Sequence, residues 1–186
     1  MASGDVTASR RNLTLIVLAA VVGIAVVTIV VLATRDDGGS GGSATSSSDR
    51  TPLEGFGETH VTVETPTSAL AWCMLLAATQ AQHNRGLMQV TDPTLGGYDG
   101  MLFRFDADTE DSFYMRNTPM PLSIAFIASD GSVVSTTDMA PCEDRDGCPL
   151  YNAAGPYRLA IEVPQGQLAR FGIEPGAKVT DDARAC

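Results

Sequence analysis

Gly100 to Ile127 reads GMLFRFDADTEDSFYMRNTPMPLSIAFI, and three runs within it repeat with the period of a β-strand. Met101, Phe103 and Phe105 alternate with Leu102 and Arg104; Phe113 and Met115 with Tyr114 and Arg116; Leu122, Ile124 and Phe126 with Ser123, Ala125 and Ile127. Alternation of this kind puts one set of side chains on a buried face and the other on the opposite face. Between the second and third runs, Arg116-Asn117-Thr118-Pro119-Met120-Pro121 holds two prolines that keep Thr118 and Met120 extended and break regular pairing. A polar segment therefore interrupts an apolar sheet.

Working outward, His60 to Glu64 predicts a first strand, 65–68 a turn, and Leu70 to Ala77 a second strand. Composition alone would allow a helix over 70–77. The capping box of Thr79 and Gln82 decides against it, because it starts a helix just afterwards, and Gly86 ends that helix. Downstream, Asp130-Gly131 predicts a type I′ hairpin leading into a strand at Val133 to Met139. Tyr157, Leu159, Ile161 and Val163 are expected to share one face of a later strand. Pro164 is expected to open a short helix with Leu168 and Phe171 on its apolar side, before a last strand at Ala177 to Thr180. Many short strands and two short helices predict a compact, mainly β domain, a β-barrel or sandwich.

Ahead of this domain, residues 13–33, LTLIVLAAVVGIAVVTIVVLA, carry no charge and are long enough to span a bilayer. Val31-Leu32-Ala33 would also pass as a cleavage site, but the apolar run is longer than that of a signal peptide. Arg10 and Arg11 before it, against Asp36 and Asp37 after it, predict a cytoplasmic N-terminus and an exported domain. The expected organisation is a cytoplasmic tail at 1–12, a transmembrane helix at 13–33, a flexible Gly/Ser-rich linker at 34–57 and an extracytoplasmic domain at 58–186, on a single-pass protein of the cell membrane. Four cysteines in an oxidising compartment predict two disulfides. Three pairings are open; Cys142 with Cys148 would close a small loop and leave Cys73 for Cys186.

The net charge is −10, with Lys178 the single lysine, so nucleic-acid binding is not expected. The acidic runs at 106–111 and 143–147 lack the spacing of a calcium loop and read as solvated turns, and the methionines read as core filler. His60 and His83 offer neither zinc spacing nor a nucleophile to activate. No catalytic residue, metal or cofactor is assigned.

Several of these segments carry a resemblance. Arg85-Gly86-Leu87-Met88, Gly100-Met101-Leu102-Phe103, Tyr114-Met115-Arg116-Asn117-Thr118, Pro121 to Phe126, and Leu159 to Val163 followed by Gly166 resemble, in order, the signatures of domain-of-unknown-function family 192 (uncharacterised protein family 0127). The resemblance spans Val61 to Val179 and implies a compact β domain with short helices but no established chemistry. Tyr114 stands where that family usually has Trp, and Ser123 where it usually has Asp, so no role is carried over to that carboxylate.

The residue types that orient polar ligands cluster at Arg116, Asn117 and Thr118, with Arg85 and Glu162 expected to face the same cleft. The competing reading makes Asn117 and Thr118 turn-capping residues and pairs Arg116 or Arg85 with Glu162. The functional expectation is a membrane-anchored binding module for a small polar or glycan ligand. The alternatives are an envelope hydrolase pairing Glu162 with Asp138 or Asp99, and a structural accessory to an envelope protein.

Overall fold

The computed structural model describes residues 49–186. The expected tail and membrane span, and the expected linker up to residue 48, lie outside the described residues. No helix among the described residues is long and apolar enough to cross a membrane.

Among the described residues, nine strands follow in chain order: β1 (Gly57–Glu64), β2 (Ala69–Ala77), β3 (Gly100–Thr109), β4 (Phe113–Tyr114), β5 (Leu122–Ile127), β6 (Val133–Met139), β7 (Leu150–Tyr151), β8 (Tyr157–Pro164) and β9 (Lys178–Asp181). The helix α1 (Gln80–Arg85) crosses between β2 and β3, and 3₁₀ turns occupy Leu95–Gly97 and Leu168–Phe171. Seven strands form one sheet in the order β6-β5-β8-β3-β2-β1-β9, while β4 and β7 pair separately as a two-stranded ribbon. Within the large sheet only β2 and β3 run parallel. A parallel pair needs a crossover, and α1 is that crossover.

The sheet does not close into a barrel, which corrects that half of the sequence expectation. It curls until one corner meets the other: Val179 N–H donates to Gly131 O at 2.8 Å, and Ser132 bridges Lys178. Contact stops there, because β9 has four residues and its remaining pairing is with β1.

Central strands are covered on both faces. All six residues of β5 are buried, as are six of the eight in β8, where Arg158 and Pro164 are half-buried. One face packs Met101, Phe103, Leu122, Ile124 and Phe126; the other packs Leu102, Ala125, Ile127, Ile161 and Val163. The single tryptophan, Trp72, flanks the second cluster, donating from Nε1 to Phe171 O at 3.1 Å and meeting the Phe171 ring edge-on at 4.9 Å.

Four local expectations are corrected. Tyr157 joins the Phe103 cluster, whereas Leu159, Ile161 and Val163 join the opposite one. The β3–β8 register slips between Arg104 and Thr109, so parity breaks between Tyr157 and Leu159. At Asp130-Gly131 only Gly131 has positive φ, +83°, and both Gly131 N–H to Ala128 O and Ala128 N–H to Ser132 O measure 2.9 Å. That is a three-residue loop ending in a left-handed glycine, with a bulge in β5–β6, not a type I′ turn. Pro164 ends β8, where it owes no ladder hydrogen bond, and does not open the 3₁₀ turn. Finally, order begins ahead of residue 58: Thr51 N–H donates to Gly96 O at 2.8 Å, and Leu53 and Phe56 pack against the core.

Both disulfides join the pairs Cys73–Cys186 and Cys142–Cys148, leaving no thiol. The first spans 113 residues and pins the C-terminal tail to β2; the second spans 6. Loop-closure entropy makes the long bridge worth about 4–5 kcal/mol and the short one about 2–3 kcal/mol. Urea denaturation of Cys73→Ser/Cys186→Ser and Cys142→Ser/Cys148→Ser should therefore show the first double variant to be the less stable by about 2 kcal/mol.

Candidate functional site

A cavity of about 100 Å³ opens between α1, the Phe103 face of the sheet and the β4 strand. The local sequence explains why space is left there. Thr79 and Gln82 form the predicted capping box, which fixes the start of α1, with Gln82 N–H donating to Thr79 Oγ1 and Thr79 N–H to Gln82 Oε1. Gly86 ends the helix with φ +45°, and a Cβ there would lie 3.3 Å from the Phe103 ring. Glycine lets the chain pass close over the ring and drop into Leu87 on the far side.

Aromatic rings make up one part of the wall, and polar side chains, among them Gln80, Asn84, Arg85 and Ser112, the rest. Phe103, Phe105, Phe113, Tyr114 and Tyr157 line the cavity, with His83 among them. Phe113 meets Phe103 edge-on at 5.0 Å, and Phe105 meets Tyr157 likewise at 5.4 Å, so the rings brace one another. His83 Nε2 lies 3.1 Å from both Ala77 O and Arg104 O. Carbonyls only accept, so that nitrogen carries a proton and ties α1 to the ends of β2 and β3. Tyr157 Oη donates to Asp111 O at 2.7 Å.

Glu162 also lines this cavity. Its neighbours across the ladder are Met101 on β3 and Ile124 on β5, and it is 4% exposed. Its carboxyl makes no hydrogen bond or ion pair to any described residue. Burial, which favours the uncharged form, pushes its pKa up to about 8 from an ordinary 4.5. Near neutral pH it is mainly a carboxylic acid, offering one donor and one acceptor.

The structure brings Arg85, Thr118 and Glu162 to this cavity and leaves Arg116 and Asn117 outside it. Arg85 lies across Phe56 with its guanidinium carbon 5.0 Å from the ring centroid, and Nη1 donates to Glu54 O at 2.7 Å. Arg116 is exposed and turns to the cysteine loop, 2.7 Å from Asp144 and 3.5 Å from Asp146. Neither arginine pairs with Glu162. Asn117 takes a left-handed conformation, φ +57°, which asparagine tolerates, and its carbonyl accepts from Gln89 N–H at 2.8 Å. With Thr118 it borders a second, more open concavity beside Pro141 and Cys142. Thr118 N–H donates to Met115 O at 2.9 Å, so the polar segment is in part the turn that its composition suggested.

The proposed carboxylate pairs do not assemble. Asp138 lies opposite Ser123, which donates to it, while Glu162 lies opposite Ile124, so the two acids project from opposite faces of the sheet. Asp99 accepts from Cys73 N–H at 2.9 Å and does not line the cavity. Glu58 lies close to Cys73 and Cys186, but those sulfurs are bonded to each other and offer no thiolate. What sequence reasoning missed was the aromatic lining: Phe113, Tyr114 and Tyr157 read as alternating strand residues, and only the fold faces them toward α1.

The DUF192 model, described as an uncharacterized ACR family, matches residues 61–180. The chain belongs to that family. A solved protein of unknown function from Novosphingobium aromaticivorans DSM 12444 is 33% identical, with a TM-score of 0.61 over 70% of this chain and 90% of that one. Another from Sinorhizobium meliloti 1021, provisionally described as a transcription regulator, is 25% identical, with a TM-score of 0.59 over 70% of this chain and 98% of that one. No curated protein matches.

Glu162 makes stability fall with pH. Below pH 4.5 folded and unfolded chains both hold the proton; above it the unfolded chain releases it while the folded one keeps it until about pH 8. The contribution is therefore full in acid and lost as pH rises through 8, at up to about 1.4 kcal/mol per pH unit. Urea denaturation of Glu162→Gln between pH 5 and 9 should lack this decline, and parallel curves for variant and parent would refute it.

Proposed function

We propose that this domain is a binding module for a small, uncharged, hydroxyl-bearing ligand of sugar size, held outside the membrane by the 13–33 segment. One observation carries the reading: Glu162, 4% exposed, turns a carboxyl with no hydrogen-bond partner among the described residues into a cavity lined in part by aromatic rings. A buried polar group costs free energy unless it is bonded, and a ligand hydroxyl can both accept from and donate to a neutral carboxyl. Five aromatic rings supply apolar contact, and Gln80, Asn84, Arg85, Ser112 and Thr118 supply polar groups beside Glu162, the mixture that a hydroxyl-bearing ligand needs.

Charge supports an uncharged ligand. With a net charge of −10 and one lysine, the protein repels phosphates and other anions. The same balance weighs against a DNA-binding role. A hydrolase working through a carboxylate pair has no support from the geometry, because Asp138 and Glu162 lie on opposite faces.

Two disulfides support an oxidising compartment, and the uncharged 13–33 segment supports a tether that reaches it. Alkaline phosphatase fused after Cys186 should be active in cells, and inactive when residues 13–33 are deleted. An active fusion without that segment would remove the export half of the proposal.

Binding itself is checked by a thermal-shift screen of neutral sugars and polyols against the purified protein. A ligand at a hundred times its Kd adds about 2.7 kcal/mol, a Tm rise of several degrees. Glu162→Ala and Phe113→Ala should abolish the rise, whereas Arg116→Ala should keep it, since Arg116 lies outside the cavity. A screen in which Arg116→Ala alone loses the response would move the site to the second concavity.

A further inference from the structure

Among the described residues, two large hydrophobic side chains are exposed: Tyr114 at 39% and Leu150 at 64%. They are not scattered. Tyr114 on β4 and Leu150 on β7 are direct partners across the ribbon, as are Phe113 and Tyr151. Alternation sends Phe113 and Tyr151 into the core and leaves the other pair on the outer face. Tyr114 is also part of the cavity wall, so apolar surface runs from the cavity mouth out to Leu150, one cross-strand spacing of ~5 Å further on.

This platform is held in place from several sides. Tyr114 Oη donates to Asn84 O at 3.4 Å, and Ser112 Oγ donates to Asn152 Oδ1 beside the ribbon. Cys142, bonded to Cys148 just ahead of β7, bridges both Arg116 and Thr118 just beyond β4. Arg116 adds its ion pairs to Asp144 and Asp146 of the same loop. A surface ordered beforehand loses little freedom when a ligand settles on it.

We infer that Tyr114 and Leu150 form an outer subsite for the second unit of an oligosaccharide whose terminal ring enters the cavity. The inference rests on the binding reading above and extends it from a single small ligand to the end of a chain. Two side chains present far too little area for a stable protein interface, which needs ~800 Å² per partner. Glu143, Asp144 and Asp146 in the adjoining loop disfavour an anionic chain. An apolar shelf continuous with the cavity that Glu162 lines suits a neutral ring stacked on Tyr114.

Calorimetric titration of the purified full-length protein with glucose, N-acetylglucosamine and the β-1,4-linked tetramer of each tests the inference. For the sugar that binds, the tetramer should bind about tenfold more tightly than the monomer. Leu150→Ser, at an exposed position outside the cavity, should remove most of that advantage and leave monomer affinity unchanged. Tyr114→Phe should keep it, because the ring is retained. Equal affinity for monomer and tetramer, with Leu150→Ser altering neither, overturns the outer subsite while the cavity reading stands. Failure of every sugar to bind overturns both.

Discussion

A strand covered on both faces has no outward side on which to place an ionisable group, and β8 carries Glu162 in such a position. Its parity is fixed by its partners: Met101 and Ile124 flank Glu162 on one face, while Ile161 and Val163 hold the other. Moving Glu162 to the opposite face would require a register slip that reversed every neighbour with it. The fold therefore keeps a carboxyl in the core and leaves a cavity beside it, where burial holds the proton on.

Around that fixed point, the other parts secure the wall that faces the carboxyl. Helix α1 is capped at its start, stopped by Gly86 against Phe103, and bound through His83 to Ala77 and Arg104. The segment before β1 adds an outer brace: Gln82 Nε2 donates to Gly55 O at 2.8 Å, and Arg85 spans Phe56 and Glu54. At the far end of the chain, Asp181 accepts from Arg104 and Thr59, and burial opposes the resulting fall in its pKa. The Cys73–Cys186 bridge closes the tail over β2. The segments that flank the sheet on either side are thus attached to the strands that carry the site.

Much of the local structure was legible in particular residues. Thr79 and Gln82 announced α1, Gly86 its end, and the alternation of 101–105 and 122–126 gave two strands with the correct core faces. The ordered signatures from Arg85 to Gly166 located the family. Other features were misread for identifiable reasons. Asp130-Gly131 fits two hairpin geometries, and only the φ values separate a type I′ turn from a turn with a glycine bulge. Tyr157 lost the parity of its strand because the bulge that shifts it arises from pairing with β3, a partner distant in sequence.

By itself, the sequence determined where strands and the helix begin, which residues are apolar, how many cysteines could pair and what charge the surface carries, because these follow from composition, spacing and backbone chemistry within a few residues. Only the tertiary structure decided that the sheet stops short of a barrel, that Arg116 turns to Asp144 while Glu162 has no ionic partner among the described residues, and that Tyr114 of the cavity wall pairs with Leu150. Those outcomes depend on which strands become neighbours. Strand order is set by contacts between residues far apart in the chain, and no local pattern records them.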